Sequence, residues 1–329
     1  MRNKKKNKKR RWWRWLGIAL LIQFFVMLIA ILGTGWTYSS VLLYPWQHPC
    51  YPHHFVYCGT PKDQGIAFQE LKLRTSDGVQ LYGWWMPPKK PYIKKAIIFA
   101  HGRSVDRRQG MRFAKALHKA GFGMVTFDFR NSGRSQKAFN SMGYHEQKDI
   151  TKVVDFLYKK GIRKIGIFGF SMGAATGILA MAKDKRIDAG VFEASYADLG
   201  DALAHLGKAR YGISRYPFLP AILGWFAIRG GLSVDELHPE RYIARIAPRP
   251  ILLMHGTWDF IIPPSHGERL YKAAREPKEL WMVPKAKHAE IWQRMGVLAE
   301  RKVTRFFQKA FAHNRNKKHK PSQLQKPGM

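Results

Sequence analysis

Between residues 65 and 312 short apolar runs alternate with helical patterns, and that alternation leaves few architectures open. Two runs come first, Glu70–Thr75 and Val79–Met86, separated by Asp77-Gly78, a dipeptide suited to a tight hairpin turn. Six more follow: Ala96–Ala100, Gly123–Phe129, Ile165–Phe170, Gly190–Ala194, Ile251–Met254 and Leu280–Val283. They are short and rich in Ile, Val and Phe, as strands buried on both faces are. Helical patterns lie between them, over about Arg107–Ala120, Glu146–Lys160, Met172–Lys183, Ser265–Arg275 and Glu290–Ala312. Strand followed by helix, repeated, predicts an α/β chain with a doubly wound, mostly parallel sheet covered by helices on both faces. One segment breaks the rhythm. Asp198 to Arg245 is too long for a simple crossover and carries Tyr216-Pro217-Phe218-Leu219-Pro220 and Trp225-Phe226, so it reads as a helical cap insertion.

A second feature sets the surroundings of the chain. Leu16 to Thr34 holds no charge and only Gln23 as a strongly polar residue. A helix of about 19 apolar residues crosses a hydrocarbon layer of roughly 30 Å. Trp12, Trp13 and Trp15 stand at one end and Trp36 and Tyr38 at the other, the aromatic belts of a span. A cleaved signal peptide is the competing reading, but the run exceeds the usual apolar length and Gly33-Thr34-Gly35 is a weak cleavage site. A buried core helix is disfavoured by the basic flank. Lys4, Lys5, Lys6, Lys8, Lys9, Arg10 and Arg11 precede the span, whereas Trp36 to Pro61 contains no Lys or Arg. The positive-inside rule then puts the N-terminal side in the cytoplasm and the domain outside it.

Charge is the other departure from an ordinary globular chain. Lys and Arg number 57 against 22 acids, a formal net of +35. Some of the excess sits in the two ends, Arg2 to Arg14 and the Lys- and Arg-bearing stretch from Arg315 to Lys326, which are expected to lack fixed structure. Anionic lipid headgroups are the expected partner of this charge; nucleic acid is disfavoured because no recognition motif accompanies it. Cys50 and Cys58 lie just past the span and leave a disulfide and two free thiols both open, while a zinc site with His48, His53 and His54 fits no standard spacing.

The chemistry is carried by Gly169-Phe170-Ser171-Met172-Gly173, a G-x-S-x-G following an apolar strand and opening a small-residue helix. That context turns Ser171 into a nucleophile candidate, because a sharp strand-to-helix turn exposes its hydroxyl above the sheet. Serine needs a base, and the base an orienting acid. Asp259 follows Ser171 by 88 residues, just past one late strand, and His288 follows Asp259 by 29, just past the next. Asp198, after an earlier strand, is the alternative acid. The backbone N–H groups of Met172 and of Arg103, the latter in His101-Gly102-Arg103-Ser104, are the candidate oxyanion hole. Whether the Arg103 side chain also holds an anionic substrate is left open. His101 and His255 read as structural, and Asp128 as a hydrogen-bonding partner of Arg130.

TSDGVQLYGWWMPP, HGRS, DFRNSGRS, GFSMG, HGTWDFIIP and KHAE together resemble the α/β-hydrolase family, in particular the membrane-anchored branch near the serine-aminopeptidase and prolyl-oligopeptidase-like hydrolases. The likeness runs from about Pro61 to Phe311. Asn131 departs from it, standing where such proteins often have Gly. The resemblance implies hydrolysis of an ester, thioester or amide through an acyl-enzyme, with no metal or organic cofactor. The leading expectation is an ester-cleaving serine hydrolase acting on a small-molecule or lipid-like acyl substrate. The alternatives are a peptidase or thioesterase on the same machinery and a non-catalytic, membrane-tethered binding protein. The expected segments are a basic tail over 1–15, the anchor over 16–38, a linker with two Cys over 39–64, the hydrolase domain over 65–312 with its cap at about 198–245, and a basic tail over 313–329. Oligomeric state has no signal.

Overall fold

A computed structural model describes residues 2–50, 57–90 and 92–313, with residues 2–10 and 313 given by backbone alone. Eight strands form one sheet in the order β1-β2-β4-β3-β5-β6-β7-β8. They are β1 Gln69–Arg74, β2 Gln80–Met86, β3 Lys95–Ala100, β4 Gly123–Phe127, β5 Lys164–Phe170, β6 Ile187–Glu193, β7 Ile251–Gly256 and β8 Lys278–Val283. β2 runs antiparallel to both β1 and β4, and every other pairing is parallel. The β1–β2 hairpin closes where expected. Thr75 N–H donates to Val79 O at 2.9 Å and Gly78 takes a φ of 85°, a conformation that glycine adopts without a steric penalty.

Side chains alternate across each parallel strand and both faces are apolar. Ile165 and Ile167 of β5 enter one core layer, and Phe168 and Phe170 the other. β3 divides the same way, with Ile98 on the first face and Ile97 and Phe99 on the second. Three helices pack on the two faces: α2 Met111–Lys119, α3 Glu146–Lys159 and α4 Met172–Lys183, the last buried on every side from Met172 to Ala182. On α3 the buried apolar residues are Ile150, Val153, Val154 and Leu157, the i, i+3, i+4, i+7 stripe of an amphipathic helix. Phe113 of α2 packs on Phe168 and Phe170 with ring centroids 4.7 and 6.3 Å away. Each such fully buried ring contributes about 1.5–3 kcal/mol of apolar transfer.

The stretch from Asp198 to Arg245, expected to form a cap, contains α5 Leu199–Tyr211, α6 Phe218–Gly230 and the short α7 Pro239–Tyr242. After it come α8 Pro264–Ala273, α9 Ile291–Met295 and α10 Val297–His313. The single helix expected over 290–312 is therefore two, broken at Gly296, whose φ is 48°. The helix expected from Arg107 opens instead with a 3-10 turn, Arg107–Gly110.

The N-terminal helix α1 spans Arg2–Leu43, and its stretch Arg11–Leu43 is long and apolar enough to cross a membrane. This corrects the expectation of an unstructured basic start. Lys and Arg are good helix formers, and a helix already nucleated in the apolar run extends through them at little cost. The helix also outruns the expected end of the anchor at residue 38. Cys50 and Cys58 are joined in a disulfide. His53 and His54 of the zinc reading, and the basic tail beyond His313, lie outside the described residues.

Candidate active site

The site gathers at the carboxyl ends of the strands, around β5 in the middle of the sheet. Ser171 sits between β5 and α4 with φ 52° and ψ −118°, a strained backbone for a residue with a side chain. The flanking glycines make that turn possible. A Cβ on Gly169 would lie 2.4 Å from Gly173 O, and one on Gly173 only 2.2 Å from Ala100 O. Strand β6 holds the turn from the side, since the Ser171 N–H donates to Glu193 O at 2.8 Å.

The loop after β8 brings His288 over the serine. Its Nε2 is 2.8 Å from Ser171 Oγ and its Nδ1 is 2.7 Å from Asp259 Oδ2. Two residues that carry no motif grip this loop. Arg112 Nη1 donates to Ala289 O at 2.7 Å, and the Ile291 N–H donates to Glu193 Oε1 at 3.1 Å. Both Arg112 and Glu193 are buried. Burial pushes the Glu193 carboxyl above its ordinary range, against the attraction of Arg112. A periodicity argument passes over such residues; a charged residue flanked by Met111 and Phe113 is the faint signal for Arg112.

Asp259 is the acid that meets His288. Its Oδ1 accepts the N–H groups of Ile261 and Ile262 at 2.9 and 2.8 Å. His255 Nε2 stands 3.5 Å from its Oδ2 and 2.9 Å from Ile262 O. Burial works to raise the Asp259 pKa, but the hydrogen bonds of His255 and His288 outweigh it and hold the carboxyl well below the usual range. Asp198, the alternative acid, is not in this line. Its Oδ1 accepts the Asp201 N–H at 2.8 Å as the N-cap of α5, and its Oδ2 pairs with His238. Asp198, His238 and Glu240 bring possible ligand atoms within 4.8 Å of one another, yet Glu240 is already engaged by Arg269 at 2.6 and 2.9 Å.

The two candidate oxyanion donors come from different elements. Met172 opens α4, and Arg103 follows β3. Among the described residues neither backbone N–H has a protein acceptor. Gly102 brings the loop beside the nucleophile, since a Cβ there would stand 3.5 Å from Ser171 Cβ. His101 fixes the same loop: its Nε2 accepts the Phe129 N–H at 2.9 Å, which leaves Nδ1 to donate to Gly102 O at 2.6 Å. Burial lowers the His101 pKa and keeps the ring neutral. The Arg103 side chain turns the other way, to the Val41 carbonyl at the end of α1. Burial lowers its pKa to about 10.

One expected pairing is wrong. Asp128 binds Arg107, at 2.9 Å, and not Arg130. The chain turns sharply after β4, with Asn131 at φ 59°, and sends Arg130 to Asp149 at 2.7 Å and Asp77 at 2.9 Å. That positive φ also accounts for the departure at Asn131. Asn is among the residues that tolerate the left-handed region best after glycine.

The prolyl oligopeptidase family matches residues 110–314, which include Ser171, Asp259 and His288. Protein YqkD of Bacillus subtilis is 30% identical over 217 residues, covering 64% of this chain and 70% of that one. Protein bem46 of Schizosaccharomyces pombe is 25% identical over 270 residues, covering 80% and 84%. Among solved structures, an esterase of Pyrococcus furiosus superposes with a TM-score of 0.66 at 24% identity, over 82% of this chain and 98% of that one. In another crystal form of that esterase the TM-score is 0.63 at 25% identity, over 76% and 96%. The fold is therefore that of the α/β hydrolases, with one apolar N-terminal helix added.

Proposed function

Because the chain belongs to the prolyl oligopeptidase family, we propose that it is a membrane-anchored serine hydrolase that cleaves an ester-type acyl bond through Ser171, His288 and Asp259. The observation that carries this reading is the continuous line from Ser171 Oγ to His288 Nε2, at 2.8 Å, and from His288 Nδ1 to Asp259 Oδ2, at 2.7 Å.

The chemistry follows from that line. His288 takes the proton of Ser171 as the hydroxyl oxygen attacks the substrate carbonyl. Asp259 keeps the proton on Nδ1, so that Nε2 faces the serine as acceptor, and stabilises the imidazolium that forms. The oxyanion that develops is met by the N–H groups of Met172 and Arg103. His288 then protonates the leaving group, and water, activated by the same histidine, releases the acyl group from Ser171.

The same machinery cleaves amides, and the family name favours that second reading, whereas the likeness to the Pyrococcus furiosus esterase favours esters. α1 anchors the enzyme, with the basic flank in the cytoplasm and the domain outside. The Cys50–Cys58 disulfide supports that side, since oxidising compartments permit such bonds. The full chain in detergent is assayed against p-nitrophenyl butyrate and a matched peptide anilide, as wild type and Ser171→Ala. Serine-dependent turnover of the ester at the higher kcat/KM supports the reading. Serine-dependent turnover of the anilide alone replaces it with the peptidase.

A further inference from the structure

The end of α1 is built into the domain. A Cβ on Gly35 would lie 2.8 Å from the Ala221 carbonyl carbon and 2.9 Å from the Trp225 ring, so α1 and α6 touch backbone to backbone there. Trp36 packs edge-on against Trp225 at 5.1 Å. The Arg229 guanidinium lies 4.0 Å over the Trp36 ring and donates to Trp36 O, Ser39 Oγ and Ser40 Oγ at 2.9, 2.8 and 2.7 Å.

Past α6, the same helix is held by the rim of the site. Its last carbonyls lack partners within the helix and form its negative end. Arg103 donates to Val41 O. Leu43 O accepts the Asn140 N–H at 2.9 Å and Asn131 Nδ2 at 3.3 Å. The His48 N–H donates to Ser104 O at 2.8 Å. Arg103 and Ser104 belong to the loop placed beside Ser171, so one loop serves both the site and the anchor.

The two helices run side by side in the same direction, with Gly35 against Ala221 and Leu43 against Gly230. The Phe218 end of α6 thus points up the anchor, toward the uncharged run that ends at Thr34. At 1.5 Å per residue, Val41 and the Arg103 that holds it lie only about 10 Å along the helix from Thr34. Apolar side chains are exposed nearby: Tyr216 just before α6 and Ile228 on it, and Trp258, Phe260 and Ile261 in the loop after β7, which leaves the sheet at the same carboxyl edge as the Arg103 and Ser171 loops. The loop after β8 adds the exposed cations Lys285 and Lys287.

We propose that this docking seats the mouth of the Ser171 site on the bilayer leaflet that α1 enters, with α6 and the Trp258–Ile261 loop in the interface, and that the substrate is an amphiphilic acyl ester resident in that leaflet. The inference rests on the reading of the chain as an anchored serine hydrolase. It differs from a freely tethered enzyme, whose site would sample bulk water and soluble esters alike. A rigid seat presents the site to acyl chains that never leave the membrane.

The test uses the full chain in phosphatidylcholine vesicles. An environment-sensitive fluorophore is placed at Ile228→Cys and, as a control on the far edge, at Lys160→Cys. Shallow nitroxide lipids are expected to quench the label at 228 and spare that at 160; equal quenching, or none at 228, overturns the proposal. Arg229→Ala and Gly35→Leu are then expected to lower hydrolysis of a vesicle-embedded long-chain ester at least tenfold while p-nitrophenyl butyrate turnover stays within twofold. Loss of both activities in parallel, or of neither, overturns it. The quenching needs no catalysis, so a protein that is quenched at 228 yet hydrolyses nothing would sink the hydrolase reading and keep the docking.

Discussion

Replacing Asp259 by Asn should disable the site by reversing a histidine. Oδ1 of Asp259 accepts two backbone N–H groups, those of Ile261 and Ile262, at 2.9 and 2.8 Å. The asparagine carbonyl must take that place, because its NH2 group cannot face two donors. The NH2 then points at His288 Nδ1, where Asp259 Oδ2 now accepts at 2.7 Å. To receive it, Nδ1 must give up its hydrogen, and the hydrogen moves to Nε2, 2.8 Å from Ser171 Oγ. The base then confronts the serine as a donor. A wrong-tautomer histidine costs about 10^4 in kcat, equivalent to about 5 kcal/mol of transition-state stabilisation. The assay is kcat on p-nitrophenyl butyrate for the full chain in detergent, with thermal melting as the control for folding. Asp198→Asn should stay within about twofold, since Asn caps a helix as well as Asp does. A folded Asp259→Asn enzyme retaining more than about a tenth of the activity, or an inactive Asp198→Asn enzyme, would show that Asp259 is not the acid that sets the His288 tautomer.

Three further outcomes are expected. Ser171→Gly should abolish activity and raise stability by about 1 kcal/mol, or about 2–4 °C in Tm, because glycine relieves a strained φ of 52° at some cost in unfolded-chain entropy; an unchanged or lower Tm would contradict the strain. Gly173→Ala should destabilise the domain by about 3 kcal/mol, since its Cβ would lie 2.2 and 2.4 Å from the Ala100 and His101 carbonyl oxygens, which backbone cannot yield easily; thermal melting within a degree of wild type would contradict this. His266 Nδ1 accepts the Ala197 N–H at 3.1 Å, and burial, followed by the nearby Arg269 charge, lowers its pKa to about 4. The unfolded chain takes up that proton near pH 6.5 and the folded one does not, so the contribution is whole above 6.5 and is lost as pH falls toward 4. Acidification from pH 7 to 5 should cost up to about 2 kcal/mol, and His266→Gln should flatten that slope in melting curves.

The strands and the turn at Ser171 were legible because their constraints are local. A buried parallel strand needs consecutive apolar residues, and Gly169 and Gly173 answer to carbonyls met within a few residues or across one strand. Asp259 and His288 were legible through chain order, each following a strand. What escaped depends on contacts between distant residues. Asp128 and Arg130 are near neighbours in sequence, yet each binds a partner from another element. Arg112 and Glu193 hold the His288 loop without belonging to any motif. Gly35 reads only as a small residue at the end of a span until α6 is placed against it. The break at Gly296 and the extension of α1 through its basic start follow instead from local propensity, that of glycine for a positive φ and that of Lys and Arg for the helix.

A fluorophosphonate probe reports whether the Ser171 hydroxyl is activated. The full-length chain, in detergent and shown to be folded by its melting transition, is exposed to the probe as wild type and as Ser171→Ala. The wild type is expected to be labelled covalently at Ser171 and the variant not at all. Equal labelling of both would place the reactive group elsewhere, and a folded wild type that takes no label would contradict an activated Ser171.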